Sequence, residues 1–398
     1  MSTGSCANHA SLTSLCEQRI AKVYEVEQRA FARARLMHEL AIIDERGWAG
    51  DFLSAADAVS KVRGLGRVVG PGWGALASSI VCYLLGITAI DPIEHKLVAE
   101  RLLTPAAERI DVDIAVASRQ GQNITEALGG TLGSRVDNRY MLTAGEIPID
   151  LLGIEVLDRI ELTLEAIGAL APVPWELPLD DVSVYDLLCA APDAGLFSFG
   201  SIGGRRLLRE LQPRRFEDLC AAIALWRPGP AHLMEEYVRR VRVGWARDEV
   251  DEALADFAGA TNGMFIYQEQ IMDAAMRLGG LSGEHAHALR KAIGRHEREK
   301  VAGLRDAFTA GVEGTGGSPD TAQALWERVI ACGEYAFCRA HAVAAAMLVY
   351  WDAYLEAHHS EQRARARRTM AESVRPLFPL EPRADAATEV DISGGHED

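Results

Sequence analysis

Between Ser14 and Ala56 apolar residues return every three or four positions, at Ile20, Val23, Phe31, Leu36, Leu40 and Ile43, with charged residues between them, which predicts one or two amphipathic helices. A glycine-rich turn over 64–74 is followed by an apolar stretch, Ala75 to Leu85, that reads as a buried helix. Asp91-Pro92 then marks a turn, and Glu94 to Leu103 predicts a charged helix. The period changes to two from Arg109 to Val116, where Ile110, Val112 and Ile114 alternate with Asp111 and Asp113, so this strand projects two carboxylates side by side. A second short strand, Glu146 to Leu152, carries Asp150 and runs into a helix over Val156 to Ile167. After the proline-rich Ala171 to Pro178 the pattern is helical as far as about His359. The expected organisation is therefore a mixed helix and strand domain over 1–170 and an all-helical domain over 171–360. The stretch 361–398 opens on the basic run Arg363 to Arg368 and is expected to lack fixed structure, because it has too few apolar residues to fold alone.

Composition narrows the class. The chain has 398 residues, 48% hydrophobic and 25% charged, which excludes a disordered or fibrous protein and suggests two or three domains. The uncharged stretch Gly74 to Ile90 contains Ser78, Ser79 and Thr88 and is short for a membrane span, so no membrane association is expected. With 41 Lys and Arg against 57 Asp and Glu, the net charge of −16 repels phosphate backbones overall. The 7 cysteines are odd in number, form no CxxC and lie in apolar contexts, which fits a reducing cytoplasm better than a disulfide framework or a zinc site.

The strongest chemical constellation is Asp111, Asp113 and Asp150. Two-metal phosphoryl transfer needs carboxylates that hold two divalent ions a few ångströms apart, and an all-oxygen donor set favours magnesium. Taken alone, D-x-D, a common string, reads better as the solvated face of an edge strand than as a metal site. The glycine turn could offer backbone N–H groups to phosphates, but it matches neither G-x-G-x-x-G nor the Walker lysine pattern. The arginine-rich segment Arg205 to Arg247 reads equally as a phosphate-binding surface or a solvated helix face, and so does the cluster Arg290, Lys291, Arg295, Arg298 and Lys300. His285, His287, His358 and His359 lack metal-ligand spacing and read as surface residues.

Taken in order, these pieces resemble the palm and fingers of the C-family polymerases, the alpha subunit of bacterial DNA polymerase III. VVGPGWGALASSIVCYLLGITAIDP (Val68 to Pro92) resembles the family's V-G-P-G-R-G-S block. RIDVDIAVASR sits where the family has its catalytic D-x-D strand, and EIPIDLLGIEVL where the third catalytic aspartate precedes Leu-Gly. GLFSFGSIGGRRLLRELQPRRFEDLCAAIALWRPGPA (Gly195 to Ala231), IYQEQIM (Ile266 to Met272), ALRKAIGRH (Ala288 to His296) and YAFCRAHAVAAAMLVYWDAYLEAHH (Tyr335 to His359) continue the match through the fingers.

The resemblance implies an α+β fold, with a polymerase-beta-like mixed palm sheet followed by all-helical fingers. It implies a nucleotidyltransferase in which Asp111, Asp113 and Asp150 hold two Mg²⁺ ions, or Mn²⁺ in their place. The incoming nucleoside triphosphate is expected to meet Gly72, Gly74, Ala75, Arg227, Arg290, Lys291, Arg339 and His341. This sequence departs from the family in three places. G-R-G-S is here Gly72-Trp73-Gly74-Ala75, and F-N-K-S-H is here Phe337-Cys338-Arg339-Ala340-His341. The interval between Asp113 and Asp150 is also shorter than in the family, which places the duplex-gripping thumb there. These departures, together with the absence of family modules before and after, among them the sliding-clamp module, lead to the expectation of DNA that is weakly gripped, or of another acceptor altogether. The competing expectation is a catalytically inactive polymerase-like protein that binds a nucleotide or a partner.

Overall fold

The computed structural model describes residues 3–372 apart from 104–109, 111, 129–131, 137–138, 145–146, 193–194, 228–229, 246–251 and 334. The amphipathic amino-terminal pattern forms three helices, α1 (Thr3–Val23), α2 (Arg29–Arg46) and α3 (Ala49–Gly64). Gly47, at φ 71°, ends α2 in the left-handed conformation that a side chain resists. Leu12, Cys16, Ile20, Leu36, Leu40, Ile43, Phe52 and Val59 form a common core with the sheet, whereas Phe31, expected on the buried face, is exposed.

The stretch Ala75 to Leu85 is not one helix. It is a 3₁₀ turn, Gly74–Ser78, broken at an extended Ser79 and followed by α4 (Ile80–Leu84). The break is held by Glu39, fully buried on α2. Ser79 Oγ donates to one carboxylate oxygen at 2.6 Å, the Ile80 N–H donates to the other at 3.0 Å, and Arg35 donates to the same carboxylate at 2.8 Å. A charged acceptor on the first N–H groups of α4 satisfies donors that no helix can satisfy internally.

The helix expected over Glu94 to Leu103 is also absent, and turns lead instead to a short 3₁₀ segment, Ala99–Arg101. The reason lies in burial. Leu97 belongs to the core beneath the later helices, while Ala99, Leu102 and Leu103 belong to the amino-terminal core. One helical face could not serve both.

Strands β1 (Val112–Val116), β2 (Leu132–Val136), β3 (Arg139–Ala144) and β4 (Ile147–Gly153) form one mixed sheet in the order β1-β4-β3-β2, with β1 parallel to β4 and the other pairs antiparallel. Helix α5 (Gly121–Leu128) connects β1 to β2, and α6 (Glu155–Ile167) leaves β4 directly. The rest is helical: α7 (Val182–Ala190), α8 (Ile202–Leu211), α9 (Phe216–Leu225), α10 (Met234–Val243), α11 (Ala255–Ala258), α12 (Gln268–Arg277), α13 (Gly283–Gly294), α14 (Arg298–Gly314), α15 (Pro319–Ala331), α16 (Arg339–His358) and α17 (Ser360–Glu372). The architecture is α+β, as expected.

Helix α16 is apolar all round, with Ala342 to Trp351 buried without interruption, and is the spine on which the two halves meet. Its core includes Ala115, Val156, Leu157 and Ile160 from the sheet side and Leu188, Phe199, Leu208 and Leu219 from the helical side. A separate core around Phe265, Met272, Leu289, Phe308 and Trp326 supports α12 to α15.

Helix α17 corrects the expectation that order ends at Glu361; residues 373–398 lie outside the described residues. Arg363, inside the basic run, is fully buried. It donates to both oxygens of Asp352 at 2.9 Å and to Glu356 at 2.6 Å, while Arg159 of α6 donates to the same Asp352 oxygens at 2.9 and 2.6 Å. Two forked guanidinium groups on one buried carboxylate tie α6, α16 and α17 together. Ala366 is buried on the same side, while Arg365, Arg367 and Arg368 are exposed.

Candidate active site

The register of β1 against β4 places Asp113 directly opposite Asp150. Neighbours paired in this way share a face of the sheet with their strands about 5 Å apart. On either side of them Val112, Ile114, Ile149 and Leu151 turn the other way into the core, so burial of these four fixes which face the two aspartates occupy. Both aspartates are half-exposed. Asp111 lies outside the described residues, so its relation to this pair is not part of the geometry. Among the described residues no group of three or more His, Cys, Asp or Glu side chains comes together as a metal site. The paired Asp113 and Asp150 supply hard oxygen donors of the kind that suits Mg²⁺.

The glycine turn lies across the same strand. The Gly70 N–H donates to the Ala115 carbonyl at 2.8 Å, and Val69 bridges Val116 in antiparallel fashion. A Cβ on Gly70 would come within 2.8 Å of that of Ala115, so the close approach needs glycine. Two residues on, Gly72 at φ 138° and Gly74 at φ 57° turn the chain, and Gly74 comes beside Asp113. A Cβ at Gly74 would sit 3.6 Å from Asp113 Oδ2. Of the three residues expected here, Gly74 is the one that stands beside an aspartate; Gly72 faces Thr88 and Ala77, and Ala75 packs against the amino-terminal core.

Trp73 carries the contact from the turn to α16. Its ring meets that of His341 edge to face, with centroids 4.5 Å apart, and His341 in turn meets Phe337 at 5.4 Å. Burial pushes the His341 imidazole below its ordinary value, so it is neutral at pH 7. Arg227 lies 4.4 Å over the Phe337 ring and donates to the carbonyls of Tyr335 at 2.7 Å and Ala224 at 2.9 Å. Its fork therefore ties α9 to the loop before α16.

That loop is stitched to the start of α12. Phe337 donates its N–H to the Ile266 carbonyl and receives that of Gln268, both at 2.8 Å. Glu269, buried and not singled out in the sequence, caps α16. It accepts the N–H of Arg339 at 2.7 Å and that of Ala340 at 3.3 Å, and Cys338 Sγ lies 3.5 Å away. The arrangement repeats that of Glu39 at α4: at both helices a buried carboxylate from another element caps the N-terminus. The sequence signal for Glu269 is its place inside IYQEQIM, and for Glu39 an acidic residue among the apolar positions of α2.

Arg290 of α13 donates to Gln268 Oε1 at 3.1 Å and reaches His287 Nε2 at 3.4 Å. Burial and the neighbouring Arg101 bring its guanidinium down to about 10, which leaves it charged at neutral pH. Arg101, another residue that sequence reasoning missed, stands at the end of the 3₁₀ segment packed against α13. Lys291 is exposed on α13 and acts on His287 through its charge. His287, read as a surface residue, is half-buried.

Arg339 has its contacts elsewhere. Its guanidinium lies 5.4 Å from the Tyr267 ring and lines a small cavity in the seam with His95, Phe216, Cys220 and Val343. Burial, helped by the Arg339 charge, lowers the His95 imidazole to about 4. In the arginine-rich segment, Arg206 pairs with Glu210, Arg214 with Asp186, Arg215 with Asp218, and Arg239 and Arg240 with Glu236. That neutralisation favours the solvated-face reading over a phosphate-binding surface.

Residues 10–138 match the family model described as the bacterial DNA polymerase III alpha NTPase domain, and residues 156–316 that of the finger domain. The DNA polymerase III subunit alpha of Mycobacterium tuberculosis is 27% identical over 466 residues, covering 82% of this chain and 39% of the relative. That of Halalkalibacterium halodurans is 27% identical over 87% of this chain and 42% of the relative. The error-prone DNA polymerase of Corynebacterium glutamicum is 28% identical over 83% and 41%. The chain thus spans about 40% of the length of these relatives. The first alignment, 466 residues long, exceeds the 398 of this chain, so that relative carries insertions with respect to it. With both domain models matched in order and with the glycine turn, the paired aspartates and the capped α16 in one site, the chain belongs to the bacterial DNA polymerase III alpha family.

Proposed function

We propose that the chain is a nucleotidyltransferase that moves a nucleotide from a nucleoside triphosphate to a hydroxyl acceptor with release of pyrophosphate. The observation that carries this reading is the direct pairing of Asp113 with Asp150, with Gly74 beside Asp113. With Asp111 they form the acidic set that would hold two Mg²⁺ or Mn²⁺ ions, which when bound would activate the acceptor hydroxyl and stabilise the leaving pyrophosphate. The chain's own contribution is positional. The glycine turn brings backbone close to Asp113 without a side chain in the way, and Arg290, Arg101 and Lys291 supply positive charge on the fingers side. His341, neutral at pH 7, offers a hydrogen-bonding edge rather than a charge. DNA is held weakly in this reading, because the molecule carries −16 and its arginine-rich segment is largely paired within itself.

The test is pyrophosphate release from each dNTP and NTP in Mg²⁺ or Mn²⁺, with and without a primer-template, comparing wild type with Asp113→Asn and Asp150→Asn. Turnover lost in both variants supports the reading, and turnover that survives both overturns it. Aspartate-dependent turnover that needs no DNA identifies a non-DNA acceptor. One observation favours the second reading, of an inactive nucleotide-binding protein: Trp73 lies against His341 where the family pattern has arginine. Metal-dependent nucleotide binding without turnover on any acceptor would select it.

A further inference from the structure

Two buried guanidinium nitrogen atoms have no hydrogen-bond partner at one place where the two halves meet, Arg101 Nε and Arg290 Nε, and His287 Nε2 lies 3.4 Å from Arg290 Nη2. They come from separate elements, the 3₁₀ segment Ala99–Arg101 and helix α13, which pack together so closely that a Cβ at Gly283 would meet Glu100 Cγ at 2.8 Å. Buried donors left without acceptors carry a desolvation penalty, so their convergence marks a place where an acceptor-rich ligand is missing. Unpaired donors on two arginines, with an imidazole beside them, suit a polyphosphate.

We propose that His287 is the third arm of a polyphosphate clamp with Arg101 and Arg290, and that its imidazole takes up a proton as the anion arrives. This rests on the nucleotidyltransferase reading and adds to it a coupling between nucleotide binding and pH. The groups around the ring explain the coupling. Arg290 Nη2 reaches toward His287 Nε2 at 3.4 Å, so the imidazole acts as acceptor there and a proton on Nε2 would oppose the guanidinium. Burial, then the charges of Arg290, Arg101 and Lys291, hold the imidazole down at about 4, opposed by the backbone of Glu100.

The surrounding acids leave this balance in place. The Glu100 carboxylate is 3.0 Å from His38 of α2, and Glu269 of α12 caps α16. The Cys338 thiol is pushed up to about 12 by burial and is neutral, and α14 brings apolar Phe308 and Val312 to the core it shares with α13. A polyphosphate between Arg101 and Arg290 reverses the local field. Arg290 turns its donors to phosphate oxygens, Nε2 is freed, and a protonated imidazole gains acceptors in place of repulsion.

The experiment is calorimetric titration of the full chain with inorganic tripolyphosphate at pH 6.5 in two buffers of different ionisation enthalpy, comparing wild type with His287→Asn and His287→Gln. Protonation of tripolyphosphate itself is common to all three proteins. Wild type is expected to take up about half a proton more per bound ligand than the variants. Between pH 7.5 and 5.5 its affinity relative to theirs should rise by up to about tenfold per pH unit, the limit for one linked proton. Equal proton counts overturn the proposal and leave the nucleotidyltransferase reading standing. Absence of tripolyphosphate binding to wild type overturns the clamp, and the reading itself is then judged separately by pyrophosphate release. If neither variant folds, the His287 ring resonances of wild type report the same proton: a shift to the imidazolium position at pH 6 on adding tripolyphosphate supports the proposal, and no shift overturns it.

Discussion

Glu269→Ala is the perturbation whose magnitude the structure defines best. The side chain is 2% exposed and accepts from the Arg339 and Ala340 N–H groups at 2.7 and 3.3 Å. Replacing a capping acceptor by alanine costs about 0.5–2 kcal/mol. Here the cap is a buried charge at the positive end of a 20-residue helix, and its loss strands a second N–H with a desolvation cost of about 1–3 kcal/mol. Water entering the vacated volume recovers part of this, so the net loss should be about 3 kcal/mol, or about 150-fold in the unfolding equilibrium of the unit containing α16. Glu269→Gln keeps one oxygen but turns an NH₂ toward the other donor, and should cost about half as much. The assays are urea unfolding and amide hydrogen exchange at Arg339 and Ala340, which should lose protection while amides in the middle of α16 keep theirs. A loss below about 1 kcal/mol with protection intact would refute the reasoning, since a cap removable at that cost holds nothing in place.

The remaining predictions follow from charge. Trp73→Arg restores the cation of the family pattern beside the aspartates and should strengthen metal-dependent nucleotide binding about tenfold, equivalent to about 1.4 kcal/mol in a titration; unchanged affinity would show that position 73 does not face the nucleotide. His95 is held at about 4 by burial and by Arg339, below its unfolded value. The unfolded chain therefore binds the proton first, and stability present above about pH 6.5 should fall as pH drops toward 4. His95→Gln should flatten that acid limb in thermal unfolding, and an unchanged limb would assign the loss elsewhere. Burial works to raise the Asp352 carboxyl, but the hydrogen bonds from Arg363 and the charge of Arg159 overcome it and hold it below the ordinary range. Its contribution is present above about pH 4 and lost as pH falls through the folded value. Arg363→Ala should accordingly release α17 to limited proteolysis at neutral pH, with a loss of about 3 kcal/mol as for a broken buried pair; resistance equal to wild type would refute the latch.

How far the site could be read from the chain depends on the range of the interaction that fixes each part. The alternation that made a strand of Val112 to Val116 is local and survives in the fold, as does the face on which Asp113 lies. Its pairing with Asp150 is not local. A one-residue slip would have sent Asp150 into the core, and only burial of Ile149 and Leu151 selects the register. The missing helix over Glu94 to Leu103 shows the opposite failure, where a sound local pattern is overruled because its apolar residues serve two cores. Charge misled in the same way: RARARR looks solvated, yet one of its arginines is buried against an aspartate eleven positions earlier on another helix.

These failures have a common cause with consequences for function. Three junctions around the site are fixed by a buried acidic residue from another element: α4 by Glu39, α16 by Glu269, and α6 with α17 by Asp352. A buried charge is expensive unless its partners are in register, so such contacts specify geometry more sharply than apolar packing, which tolerates small shifts. The strand that carries Asp150 runs into α6, the turn that holds Gly74 leads into α4, and His341 lies in the first turn of α16, so these three groups lie within ten residues of a charge-fixed junction. Neutral substitutions at Glu39, Glu269 or Asp352 should therefore damage nucleotide binding out of proportion to the stability they remove, whereas core substitutions such as Leu348→Ala should lower stability with binding nearly intact in the molecules that remain folded. A plot of affinity against unfolding free energy across both sets separates the two slopes, and a single shared line would refute the distinction.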